Sequence, residues 1–408
     1  MKGSLRRAFL VYVDIKMKIK NFLRLSNSYF WYFAVLGLAI PFLAVFLEGR
    51  GFNSLAMGEM LAIFTATKII GPTFWAFMAD KTGKKLPFIQ LGATLSLLSF
   101  IMLFFVEGYW PITITLALFS LFWTGMQPQM EVLTLGAIRN NAKFYARIRL
   151  WGSVGFIVFA VLAGEIIAKW GSDSFVWLGF VILLGLLLSV FILKEKPTRL
   201  DKAPTDVKII HRLLAGNFIL FFISGLLFQL SFGPYYSFFA LYLRDLAYPS
   251  YAVGALLSLA IIAEIIVFIV AGRLFKRFDY KMLIVFSMAI TGVRWFVMAF
   301  WGSNPLLLSL MQVFHAASFG LYHSASMQFI QQHFKSHQQN RAQAVYVSGM
   351  YGIGGALGAY LAGVYWLDGQ GAEQTFIYAG YIACLASIFA LFMNSRVTSN
   401  KVVGDVKA

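Results

Sequence analysis

The sequence predicts an all-helical membrane protein whose twelve transmembrane helices form two pseudo-symmetric six-helix halves. Three observations lead there. The composition is too apolar for a surface that faces water, apolar runs of membrane-crossing length recur along the chain, and the two halves match each other at a fixed offset.

Composition excludes the soluble classes first. Of 408 residues, 60% are hydrophobic and only 12% charged, against about 25% charged in a soluble domain. The net charge of +17 could signal nucleic-acid binding, but the cations lie between apolar runs and not on one face of a domain, so no nucleic-acid partner is expected. The single cysteine, Cys384, sits in an apolar stretch and excludes an intramolecular disulfide and any cysteine-rich metal site. The glycines from Gly349 through Gly352, Gly354, Gly355 and Gly358 to Gly363 have no strand before them and no Gly-Lys-Ser ending, so they are not a phosphate loop. They make small-x-x-x-small faces that let helices approach closely. No nucleophile–base pair or metal-ligand set falls inside the apolar runs, and neither an enzyme nor a cofactor is expected.

Runs long enough to cross about 30 Å of hydrocarbon occupy residues 29–46, 57–78, 86–106, 111–137, 150–168 and 174–193. After a polar stretch they resume at 217–243, 252–271, 282–300, 305–329, 342–365 and 375–393. The chain thus divides into a basic segment 1–28, a half 29–193, a linker 194–216, a half 217–394 and a tail 395–408. The basic segment (Lys2, Arg6, Arg7, Lys16, Lys18, Lys20, Arg24) has no small-residue cleavage site before the first run. It reads either as an amphipathic helix on an anionic membrane surface or as an extension upstream of a start at Met17.

Lys and Arg set the orientation, because cytoplasmic loops collect them. With the N-terminus inside, 29 of the 34 fall on the cytoplasmic side; Arg50, Lys169 and Arg244 fall outside, and Lys68 and Arg294 lie within runs. An even number of crossings gives this bias, so both termini are expected in the cytoplasm, and the protein in a bacterial inner (plasma) membrane. The halves also align: a shift of 196 residues lays Phe46-Leu47 on Tyr242-Leu243, Ser54 on Ser250, Gly58 on Gly254, Lys81 on Arg277 and Lys85 on Lys281. Parallel six-span repeats with a site near the midplane between them are a known architecture.

The loop after the second run, Asp80-Lys81-Thr82-Gly83-Lys84-Lys85, resembles the acidic-x-x-Gly-basic-basic signature of the major facilitator superfamily. Asp80, Gly83, Lys84 and Lys85 would form its cytoplasmic gating loop. The corresponding loop of the second half, from Gly272 to Arg277, keeps the basic residues and lacks the acid. Four further segments are similar to the phenylpropionate permease branch of proton symporters, and more distantly to the lactose and nucleoside permeases. They are Arg147–Phe156, Ala263–Ile266, Val293–Trp295, and the tenth run with His315 and His323. The resemblance implies alternating access and cation-coupled uptake of a small solute; no cofactor is expected, and the protein is expected to act as a monomer. It implies that Arg149 binds substrate with Glu131 as its acidic neighbour, that Glu264 couples substrate to proton, and that Arg294 and His315 or His323 assist. The tenth run lacks the acid that lactose permease carries there, which argues against a lactose-like sugar.

The membrane-embedded charges carry a separate argument. A charge at the bilayer centre costs at least about 2.5–3.5 kcal/mol, so it faces a cavity or a partner. Glu264 near the midplane is then a proton or substrate group, or half of a structural ion pair. Arg294 keeps its proton, so it serves by pairing with Glu264 in one state and releasing it in another, or as a static bridge. Lys68 is the counterpart of Glu264 under the shift and suits a substrate carboxylate or a structural pairing with an acid on a facing helix. His315 and His323, eight residues apart, would sit about 80° apart on an α-helix and suit proton relay or substrate hydrogen bonding. Glu131 and Arg149, both near the cytoplasmic end, would bind substrate or close the inner gate. Gln229, Tyr235 and Tyr236 surround Pro234, which disturbs the seventh helix, and would line the cavity. The expected function is proton-driven symport of a small organic acid such as 3-phenylpropionate. Sugars or nucleosides are the alternative substrates, and an exporter or a non-transporting sensor the alternative roles.

Overall fold

A computed structural model describes residues 2–138, 142–195 and 209–395; most of the linker (196–208) and the tail (396–408) lie outside the described residues. Among the described residues, twelve helices are long and apolar enough to cross a membrane. They are α1 (Ile19–Gly49), α2 (Ser54–Thr82), α3 (Leu86–Phe104), α4 (Tyr109–Ala137), α5 (Phe144–Trp170), α6 (Ser174–Phe191), α7 (Gly216–Asp245), α8 (Tyr251–Val270), α9 (Tyr280–Trp301), α10 (Pro305–His333), α11 (Ser336–Gly369) and α12 (Ala372–Leu391). The helix that contains α1 starts at Lys2 and runs unbroken to Gly49, so the basic segment continues the first span without an intervening loop.

Local chemistry fixes several ends. Asn53 and Asp279 accept the free amides of Ala56 and Met282 at the starts of α2 and α9, the usual N-cap role of such side chains. Gly83 closes α2 in the left-handed region (φ 71°), its N–H donating to the Ala79 carbonyl, a position that favours glycine. In α7 the helix breaks at Phe232, where Pro234 enters the first turn of the second segment, as a residue lacking an N–H requires. Two wider π segments interrupt the later helices, Ala317–Leu321 in α10 and Val347–Gly354 in α11. The 80° offset expected between His315 and His323 therefore does not apply, because the turn between them is not α-helical.

The halves meet at the end remote from the basic loops. There α2 packs against α11, and α8 against α5, two contacts related by the 196-residue shift. A β-carbon on Gly58 would stand 2.5 Å from the Gly363 Cα, so the backbones touch directly. On the equivalent seam, Gly254 lies as close to Val161. Ser54 and Asp368 exchange two hydrogen bonds of 2.7 and 2.9 Å, and Ser250 donates to Glu165 at 2.7 Å. Arg244 grips Glu48 through both terminal nitrogens and also holds Asp245. Glu48 and Arg244 are themselves 196 residues apart, so this ion pair joins equivalent points of the two repeats.

Candidate functional site

Two polar clusters lie inside the bundle, one in each half. In the first, Gln127 and Glu131 sit one turn apart on α4, and Tyr145 and Arg149 one turn apart on α5, so each pair shares a helix face. Arg149 Nη1 lies 2.5 Å from Glu131 Oε1 and donates to the Tyr145 hydroxyl at 3.3 Å. Its guanidinium stands 5.4 Å from the centre of the Phe33 ring on α1. With the two side chains 40% and 35% exposed, this expected pair is brought together where water and solutes reach it.

The second cluster is drier. Arg294 on α9 is fully buried. Its Nε donates to the Met311 carbonyl at 2.8 Å, and the guanidinium rests over Trp295 (4.7 Å) and Tyr235 (5.4 Å). The Tyr235 hydroxyl is the polar group beside the terminal nitrogens of Arg294, which have no other hydrogen-bond partner among the described residues. Tyr235 donates to Gln312 Oε1 at 2.8 Å, and its ring lies 5.6 Å from that of His315, which stacks on Phe319 at 5.7 Å. Gln229 Nε2, Gln312 Nε2 and His315 Nδ1 are buried and unpartnered as well. Tyr236 stacks on Phe232 beside the α7 break.

Glu264 on α8 is 8% exposed, and its side chain lies against Gly320 in the π segment of α10. Among the described residues it has no ion-pair partner, and neither has Arg294. The separation follows from packing: α10 touches both α8 and α9, and its π segment contacts each, so the sequence neighbours α8 and α9 present their charges on either side of a third helix. The charge that bears on Glu264 instead is Arg149, across the interface between halves. Arg149 and Glu131 also act electrostatically on His323, whose Nδ1 lies 3.4 Å from the Tyr346 hydroxyl. That hydroxyl lies 3.1 Å from the hydroxyl of Tyr351. Lys68, half-buried on α2, has its Nζ 6.0 Å from the centre of the Phe64 ring.

The loop after α2 is tied down at two points. Lys85 pairs with Asp80, and Glu195, just beyond α6, accepts the backbone amides of Lys85 (2.7 Å) and Leu86 (3.0 Å). Lys84 is exposed beside them. Sequence reasoning missed Glu195, Gln312, Tyr145 and Tyr346. Gln312 and Tyr145 left a trace in the sequence, as polar residues three positions before His315 and four before Arg149 on the same helix faces.

Known proteins resemble this chain over most of its length. Residues 22–378 match the MFS_1 like family. A probable 3-phenylpropionic acid transporter of Escherichia coli (strain K12) is 27% identical over 380 residues, spanning 91% of this chain and 97% of that one. A maltose permease of Geobacillus stearothermophilus is 24% identical over 383 residues, spanning 90% and 93%. A crystal structure of a mutant of the nucleoside transporter NupG shares the fold, with a TM-score of 0.83 over 91% of this chain and 99% of that one at 16% identity. The chain therefore belongs to the MFS_1-like family, as a membrane transporter of the major facilitator superfamily and not an enzyme.

Proposed function

We propose that the protein couples uptake of a small organic acid, of the phenylpropionate class, to entry of a proton. The observation that carries this is the carboxyl of Glu264, buried against the π segment of α10 with no ion-pair partner among the described residues; Arg149 is the cation that bears on it. An unpartnered charge at such a place costs several kcal/mol, so a proton and an approaching cation are alternative partners for the same carboxyl group. Substrate that engages Arg149, or a change in the spacing of the halves, then alters whether Glu264 keeps its proton. Coupling requires that linkage.

The substrate class is supported by cations that have no ion-pair partner among the described residues. Lys68 and Arg294 can accept a carboxylate, and Phe64, Phe319, Tyr235 and Tyr236 offer ring faces for an aromatic body. The relative whose name gives 3-phenylpropionic acid points the same way. Both termini are cytoplasmic in this reading, and the end joined by Glu48 and Arg244 faces outward, so the structure corresponds to the state closed to the outside.

The test is proton movement. In a lightly buffered, de-energised suspension of cells that express the protein, 3-phenylpropionate should make the medium alkaline as protons enter with the acid. An acidification on addition, or an alkalinisation equal to that of cells without the protein, would refute symport. Maltose and a nucleoside, tested in parallel, would decide between the alternative substrates.

A further inference from the structure

The loop between α8 and α9 carries Lys276 where the first half has Asp80, and Arg277 where it has Lys81, and it borders a cleft that the transport reading does not use. The cleft has a volume of about 340 Å³ and is lined by Lys276, Arg277, Tyr280, Gln328, Gln332 and Ser395, among others. Pockets that hold small molecules begin at about 300 Å³. Lys276 and Arg277 are exposed at its rim without an ion-pair partner among the described residues. The one carboxylate in the wall, Asp279, accepts the Met282 amide through Oδ1 and keeps its charge, which the two cations outnumber. Tyr280 holds the far side in place by donating to the Asn394 carbonyl at 2.8 Å. The side-chain oxygen of Gln328 is buried with no hydrogen-bond partner.

We infer that this cleft binds a glycerol phosphate group, as the head of an acidic phospholipid such as phosphatidylglycerol. Lys276 and Arg277 take the phosphate by charge-assisted hydrogen bonds, and the glycerol hydroxyls face the side chains of Gln328 and Gln332 in the wall. The site lies where a lipid head would be, since α8 and α9 both end there at the membrane boundary. Phe278, Met282 and Phe286 recur every four residues and are all exposed, which makes an apolar strip leading from the cleft down the lipid-facing side of α9 for the acyl chains. Basic clefts at helix ends on the cytoplasmic side are suited to such heads. Binding there would hold the α8–α9 loop and the ends of α10 and α12 together.

The test uses the full chain in neutral detergent micelles. Its thermal unfolding midpoint is followed as phosphatidylglycerol, phosphatidylcholine or soluble glycerol 1-phosphate is added. The expected result is a saturable rise with phosphatidylglycerol and none with phosphatidylcholine. In K276Q/R277Q the half-saturating concentration should increase at least about tenfold, as loss of a charge-assisted hydrogen bond implies. Q328L should weaken binding without removing any charge, and R147Q, which removes a cation elsewhere on the same end, should leave it unchanged. A rise with glycerol 1-phosphate at the same cleft residues, without one for the lipid, would support the site and assign its source to solution. No rise with either, or an equal rise in K276Q/R277Q, would overturn the proposal.

Discussion

Glu48 and Arg244 occupy equivalent positions in the two repeats and meet each other at the closed end, so breaking that pair should bias the protein toward opening there. The side chains are 37% and 53% exposed, which places the pair among solvent-screened ion pairs worth about 0.2–1 kcal/mol. Removing it should raise the ratio of open to closed molecules about 1.5- to 5-fold. Glu48→Gln and Arg244→Gln should have the same effect, apart from the residual bond of Arg244 to Asp245, and the exchange Glu48→Arg with Arg244→Glu should restore the parent ratio. Alkylation reads that ratio. With Cys384 replaced by Ser, a single cysteine at Thr65, whose methyl lies 3.2 Å from the β-carbon position of Gly355 on the seam, should react with an impermeant maleimide added outside only when the seam opens. The reaction should speed up about 1.5- to 5-fold in either single variant and fall back in the exchanged one. Unchanged rates in both single variants would refute the claim that this ion pair stabilises the closed end.

Gly58→Leu and Gly363→Leu each place a side chain where the opposing backbone already stands. Overpacking of about 1–3 kcal/mol or more should hold the seam apart, raising the Thr65 alkylation rate at least about fivefold while normal amounts of protein reach the membrane. Glu195→Gln weakens the carboxylate grip on two backbone amides; hydrogen exchange at Lys85 and Leu86 should quicken roughly 5- to 30-fold, for a loss of about 1–2 kcal/mol, with little change at α4. Glu131→Gln removes an ion pair that is more than a third exposed, so the unfolding midpoint should hardly move while KM for substrate changes severalfold. A drop in midpoint without a change in KM would mark the pair as structural.

Much of the architecture was legible because the bilayer imposes it. Hydrocarbon thickness fixes helix length, so all twelve spans could be read from apolar runs, and Pro234 announced the break in α7 because it lacks an N–H. The pairing of Glu131 with Arg149 was legible too, since both charges fall near one end of consecutive helices. Other features depend on contacts that no local pattern records. The α10 and α11 sequences carry no residue whose chemistry demands a π turn, so the offset between His315 and His323 does not follow from their spacing. Which helices become neighbours is a tertiary outcome; α10 inserted between α8 and α9 separates Glu264 from Arg294, although the two lie on successive spans. Glu195 clasps amides more than a hundred positions away, and the carboxylate itself looked like any other charge at a loop.

The central claim, proton-driven uptake that depends on Glu264, is tested most directly by labelled 3-phenylpropionate in proteoliposomes with an inward proton gradient. The parent should accumulate it above the equilibrium level. Glu264→Gln should fail to accumulate it yet still exchange labelled for unlabelled substrate across the membrane. Accumulation by Glu264→Gln equal to that of the parent would contradict the account.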